Sequence, residues 1–154
     1  MKAETRSEQA SEDAVAEAIV RQLIDEGFSQ GRLDVVDQLV APDMIEHQRR
    51  GPAHPPGPEG VKAVIRSLRE GFSDFRLAIQ DLAVAGDVVW TRNIATGTHD
   101  GSFREHAPTG RPIRIDVFDV MRVSDGRVVE HWGLPDQIGL LAQIDGADVT
   151  AKAR

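Results

Sequence analysis

The sequence predicts an α+β fold in which a strongly curved, mostly antiparallel sheet is wrapped by three helices from the N-terminal half and encloses a pocket. Apolar residues recur at helical spacing as far as Gly71, and at strand spacing beyond it, where Gly-Asp and Asp-Gly turns join the runs. The chain length of 154 residues, 40% of them apolar, with 14 glycines and 8 prolines, suits a single turn-rich domain over residues 1–154.

The elements follow in order. Residues 1–10 form a polar lead expected as a tail, and Ser11 with Glu12 and Asp13 behind it reads as a helix start. Val15, Ile19 and Leu23, with Val20 and Ile24 beside them, make one apolar stripe, and Gly27 is expected to end it. Leu33, Val36, Leu39 and Val40 predict a second, shorter helix that stops before Pro42, because a residue preceding proline disfavours the helical region. A short extended piece follows at Met44–His47. From Gln48 to Pro58 four prolines, two glycines, Arg49, Arg50 and His54 make a loop, either a lid or a plain connection. Pro58-Glu59-Gly60 opens a third helix carrying Val61, Val64, Ile65 and Leu68.

Phe75, Leu77 and Ile79 alternate as a strand, and a change of phase at Asp81 predicts a bulge before Leu82 and Val84. Ala85-Gly86-Asp87 turns into a strand from Val88 to His99, a polar loop leads to the strand Ile113–Val123, and Ser124-Asp125-Gly126 turns into the last strand, Arg127-Val128-Val129-Glu130-His131-Trp132. Residues 146–154 read as a polar tail.

Composition excludes several classes. No cysteine means no disulfide, thiolate nucleophile or cysteine-ligated metal. A net charge of -7 argues against an electrostatic grip on nucleic acid. No apolar run is long enough for a membrane span and the N-terminus lacks the apolar centre of a secretion signal, so a cytoplasmic protein acting on a small molecule is expected. No two histidines stand at His-x-His or His-x-x-x-His spacing, so no metal triad is expected.

Several segments together resemble the polyketide-cyclase-like branch of the nuclear-transport-factor-2-like fold, the SnoaL-like ester cyclases. They include His47, Gly60-Val61, Phe72-Ser73-Asp74-Phe75, Gly97-Thr98-His99-Asp100-Gly101, Pro108-Thr109-Gly110-Arg111, Asp125 to Glu130, Trp132, Asp136 and Gly139-Leu140-Leu141-Ala142-Gln143. The resemblance runs from about Ala14 to Ile144. It implies a cone-shaped fold and a cofactor-independent ring closure of aldol type by acid/base catalysis. It also implies that the carboxylate just after the last strand, here Asp136, is the catalytic group. The residues alone offer another role for Asp136, capping a C-terminal helix through Gly139. A non-catalytic binder of a small apolar ligand stays open as an alternative. So does an epoxide-hydrolase-type enzyme, although Arg92-Asn93-Ile94 lacks the first carboxylate such enzymes use, so that Asp119 or Asp116 would have to stand in. The absence of tyrosine excludes the tyrosine-based oxyanion holes of similar isomerases and dehydratases.

Candidate site residues come from both sources. His99 and His47 match the family pattern and are expected to assist Asp136, each with the bland alternative of a structural hydrogen bond. Asp119 is the one charge on the apolar face formed by Ile113, Ile115, Val117, Met121 and Val123, so it is either a pocket carboxylate or a buried partner of Arg92 or Arg122. His131 and Trp132 are neighbours on one strand and must face opposite ways. Trp132 shares the parity of Asp136 and is expected to line the cavity, which turns His131 outward. Trp90 and Arg92, the arginine having a cross-strand pair as its alternative, complete the expected substrate-binding set with Trp132, and His131 is kept in that set beside its alternative as an outward residue at a subunit interface. Phe118 and Val120 on the outer sheet face, beside Arg114 and Arg122, suggest pairing of two sheets into a homodimer.

Overall fold

A computed structural model describes residues 2–48 and 50–146, with side chains from Arg6 onward. The expected tail after 146 lies outside these residues.

The first helix, α1, spans Lys2–Gln22 and so runs through the stretch expected as an N-terminal tail. Ser11 lies inside it, not at its cap. Nothing from Glu8 to Glu12 breaks a helix, and Gln9 Nε2 donates to Asp13 one turn on at 2.8 Å. Its buried stripe is Ala16, Ile19 and Val20, while Val15 faces solvent. Gly27 does not end the helix: the chain continues through wider π-type turns over Leu23–Ser29, which bury Leu23, Ile24 and Gly27. Helix α2 covers Leu33–Leu39 and passes directly into strand β1, Val40–Glu46. Helix α3, Gly57–Gly71, carries Pro58 in its first turn, where the missing N–H costs nothing.

Strands β2 (Arg76–Ala85), β3 (Val88–Thr98), β4 (Pro112–Ser124) and β5 (Arg127–Pro135) follow, and a short helix α4, Gln137–Ile144, ends the described chain. The sheet order is β1-β5-β4-β3-β2, antiparallel throughout except for the parallel pair β1 and β5. The five-stranded sheet is curved and unclosed, as expected of an α+β cone. Its concave face and the helices share one apolar core, which includes Val20, Ile24, Val36, Ile65, Phe72 and Ile144.

Two bulges decide which side chains face that core. Between β2 and β3 the register steps from Ile79↔Asn93 to Asp81↔Arg92, leaving Gln80 unpaired; this is the bulge predicted from the phase change at Asp81. Between β4 and β5 it steps from Arg122↔Glu130 to Val123↔Val128, so Val129 is the extra residue. Val128 points inward and is buried. Without the bulge Glu130 and Trp132 would follow it; with the bulge, His131 does. Helix α4 is tied to the sheet by Gln143, whose side chain accepts from Arg114 N at 2.8 Å and donates to Arg114 O at 3.1 Å. Among the described residues no helix is long and apolar enough to cross a membrane.

Candidate active site

Between the concave sheet face and the helices lies a cavity of about 130 Å³. A packing void would hold at most one water, roughly 15 Å³ on the same measure, so this is a built pocket. Its walls are largely apolar, with Leu23, Ile24, Phe75, Leu77, Ile115 and Met121 among them. Its polar groups are few: Asp119, His131 and Glu46 inside, and Gln48, Arg50, Arg104 and Gln137 toward the rim.

The inner three form one chain of hydrogen bonds. His131 Nδ1–H donates to the Glu46 carboxylate at 2.9 Å, and Nε2–H donates to Asp119 Oδ1 at 3.0 Å. The second Asp119 oxygen, Oδ2, accepts from Asn93 Nδ2 at 2.9 Å, and the same amide nitrogen donates to Thr91 Oγ1 at 2.9 Å. Gln48 N–H donates to Glu46 Oε1 at 2.8 Å. An imidazole that donates from both nitrogens carries a proton on each and is therefore the cation. Burial alone would push its pKa down, but the hydrogen bonds and charges of Asp119 and Glu46 outweigh that and raise it to about 9. Desolvation works against the charged form of Glu46, yet the His131 contact wins and holds that carboxyl below its ordinary value. Asp119 is 7% exposed. A buried carboxylate is stable here because it has both an ion partner and an amide donor.

Backbone pairing places these groups. Asp119 and Met121 alternate inward on β4, opposite Gly133 and His131 on β5, and the parallel pairing Glu46↔His131 brings in β1. Gly133 lets Gln48, His131 and Asp119 pack directly against the β5 backbone. A Cβ there would stand 2.7 Å from Gln48 Oε1, 2.9 Å from His131 Cε1 and 3.1 Å from Asp119 Oδ1.

Of the residues singled out from sequence, Asp119 and His131 meet in the cavity and the others do not. Asp119 is paired, but with His131 and Asn93; the two arginines weighed as its partners lie on the opposite face. Trp132 is corrected from cavity wall to outer face by the extra residue at Val129, and the same shift turns His131 inward instead of outward. Asp136 is exposed on the surface, where its Oδ1 accepts from Gly139 N at 2.8 Å and caps α4; the carboxyl is solvated rather than enclosed. His47 also stands outside: its ring stacks on Trp132 with centroids 4.5 Å apart, and Nε2 meets Glu130 at 2.8 Å. His99 is fully buried but away from the cavity, with Nδ1 on Thr109 Oγ1 at 3.0 Å and the ring against Phe72. It holds the loop 99–111 together, since its carbonyl accepts from both Thr109 and Gly110. Arg92 pairs with Asp81 and Asp116 on the outer face, and Trp90 is 54% exposed there.

Sequence reasoning missed Glu46, Gln48, Arg50 and Arg104 as cavity residues, and Gly133 as the position against which Asp119, His131 and Gln48 pack. Glu46 carries a usable signal only through parity, since β1 sets Ile45 and His47 on one side and Glu46 on the other. Gly133 carries none, because a strand glycine is explained only by what lies opposite it.

A family model described as SnoaL-like polyketide cyclase matches residues 18–144 of the chain. Nogalonic acid methyl ester cyclase of Streptomyces nogalater is 25% identical over 119 residues, covering 76% of this chain and 88% of that protein. An aklanonic acid methyl ester cyclase of Streptomyces peucetius is 25% identical over 133 residues, covering 82% of this chain and 88% of its own. Among solved structures, IdmH of Streptomyces antibioticus superposes with a TM-score of 0.74 at 36% identity, covering 84% of this chain and 98% of IdmH. TsrD of Streptomyces laurentii gives 0.77 at 26% identity, covering 88% and 97%.

Proposed function

This chain belongs to the SnoaL-like polyketide cyclase family, and we propose from that premise that it closes a ring in a polyketide-type substrate by an intramolecular aldol step, with Asp119 as the acid/base. The observation that carries the assignment is the buried Asp119 carboxylate facing an apolar cavity while imidazolium and amide donors hold it in place. It replaces Asp136, which the family resemblance pointed to and which lies on the surface.

The step balances within one molecule. Asp119 takes a proton from a carbon flanked by carbonyl groups, where the resulting charge spreads onto oxygen. That carbon attacks a second carbonyl carbon; a carbon–carbon bond forms and the carbonyl π bond becomes an alkoxide. Asp119, now protonated, returns the proton to the alkoxide. Nothing is oxidised, reduced or consumed, so the reaction asks for no cofactor. His131 is a positioning residue. It fixes the Asp119 carboxylate through the hydrogen bond from its Nε2–H to Oδ1. The largely apolar walls strengthen these interactions.

Incubation with nogalonic or aklanonic acid methyl ester, the compounds named for the relatives, tests the reaction class by formation of an isomer of unchanged mass. Asp119→Asn should cut turnover by about 10²- to 10⁴-fold while the compound still binds. Undiminished turnover in that variant would sink the assignment, and binding without conversion by the wild type would instead support a ligand-binding protein.

The outer sheet face supports a homodimer. Phe118 and Leu134, 51% and 72% exposed, pair across β4 and β5, and in the next row Trp90, 54% exposed, lines up with Val120 and Trp132, too much contiguous apolar surface to leave in water. A two-fold axis through this face would bury it against its own copy. Sedimentation should give a dimer at micromolar concentration and a monomer for Phe118→Glu; a wild-type monomer would refute the pairing.

A further inference from the structure

Ring closure gathers negative charge on the attacked carbonyl oxygen before Asp119 returns the proton, and a hydrogen-bond donor aimed at that oxygen lowers the barrier. The chain has no tyrosine to serve. His131 gives both of its N–H groups to Glu46 and Asp119, and the Asn93 amide nitrogen is taken up by Asp119 and Thr91. Gln48 is placed differently. It follows Glu46 by two residues, just past the end of β1, and lines both the cavity and the groove that opens from it along α3.

The Gln48 amide has a defined orientation. Its backbone N–H donates to Glu46 Oε1 at 2.8 Å, and Arg50 donates to its side-chain oxygen. A guanidinium has donors only, so the amide turns Oε1 toward Arg50 and Nε2 away from it. Nε2 meets no acceptor among the described residues, yet it is not sealed off as the Arg50 Nε is. Gly133 fixes how near this amide stands to the acid/base. A Cβ built there would lie 2.7 Å from Gln48 Oε1 and 3.1 Å from Asp119 Oδ1, so amide and carboxylate sit side by side over one stretch of β5 backbone. The cation on Oε1 also draws charge out of the amide, which makes its N–H groups stronger donors.

We propose that Gln48 is the oxyanion donor of the ring closure, its Nε2–H donating to the attacked carbonyl oxygen as that oxygen becomes the alkoxide. Arg50 is then a positioning residue that orients and polarises the amide. The assignment rests on the reading of Asp119 as the acid/base and adds a second catalytic residue to it. No bond is made or broken at Gln48. Its hydrogen bond strengthens as the neutral carbonyl oxygen gains charge, so it favours the transition state over the bound substrate. Asp119 must hand its proton to this same oxygen, and acid and donor therefore have to stand together, as their shared packing over Gly133 makes them do. A neutral amide also asks for no charge on the substrate.

Calorimetric titration of the intact protein with 2-acetylnaphthalene and with 2-isopropenylnaphthalene, in which a methylene group replaces the carbonyl oxygen, tests the contact without turnover. The ketone-to-alkene affinity ratio should fall about tenfold in Gln48→Met, while the alkene affinity stays within about twofold and so shows that the variant is folded. Gln48→Glu keeps an acceptor for Arg50 but carries no amide hydrogen, and its ratio should fall as far; it also carries the test should Gln48→Met fail to fold. With nogalonic or aklanonic acid methyl ester, Gln48→Met should lower kcat on the order of 10²-fold with little change in KM. A ratio unchanged in Gln48→Met, a ratio kept in Gln48→Glu, or an undiminished kcat in Gln48→Met overturns the proposal. The two readings fail separately. A ratio that falls in a protein showing no cyclisation would remove ring closure and leave a carbonyl-binding amide, whereas cyclisation untouched by Gln48→Met would keep ring closure and remove the donor.

Discussion

Replacing His131 by glutamine tests the coupling between the buried cluster and stability. The imidazole pKa rises from an ordinary value of 6.5 to about 9 in the folded protein. That difference corresponds to about 3 kcal/mol of stabilisation, at roughly 1.4 kcal/mol per pH unit. Its sign follows from proton counting. The raised value means the folded state holds the proton more tightly, so the contribution is complete below pH ~6.5 and is lost as pH rises through ~9. In that window the native state binds about one proton more than the unfolded chain, and stability falls with pH. Urea denaturation of the wild type and of His131→Gln at pH 6, 7.5 and 9.5 should therefore give a difference between the two proteins that narrows by about 3 kcal/mol over the series. An NMR titration of the wild type should place the His131 midpoint close to 9. A midpoint at or below 7, or pH profiles that run parallel in the two proteins, would refute the view that both carboxylates hold the imidazole as a cation.

Other consequences can be measured directly. Glu46→Gln keeps the size of the side chain but removes one of the two charges, so the His131 midpoint should move down; an unmoved midpoint would mean that Asp119 alone sustains it. Gly133→Ala places a methyl group against Asp119, His131 and Gln48 without demanding a left-handed backbone, so kcat/KM should fall at least tenfold while stability drops by only about 1–3 kcal/mol; full activity would show that turnover does not depend on the placement of these side chains. Asp136→Ala removes the α4 cap and should cost about 1 kcal/mol in chemical denaturation with kcat nearly unchanged. A collapse of kcat in that variant at retained stability would return the acid/base role to Asp136.

Much of the fold was readable from local patterns, because each depends on neighbours close in the chain. Helical spacing from Val61 to Leu68, proline at the start of α3, and the turns at Gly86 and Gly126 all describe energies settled within a few residues. The bulge at Gln80 was legible for the same reason: the apolar residues on both sides of it are strong enough to mark the change of phase. Asp119 was legible as an intruder on an apolar face. The helix over Lys2–Ala10 was not, since a polar stretch carries no apolar stripe to mark it even where Glu, Gln and Ala favour helix.

The sequence by itself determined the α+β order, the apolar concave face and the one carboxylate set into it. Only the tertiary structure decided which imidazole meets that carboxylate. Counting residues by twos along β5 puts Trp132 inside, and the count fails at Val129, where a bulge with no apolar marker reverses the face. Glu46 reaches His131 only because β1 pairs with β5 across 85 positions of chain. Bulge position and strand partnership are set by hydrogen bonds between distant segments and by what the packed core will accept, and these are properties of the assembled sheet rather than of any stretch of residues.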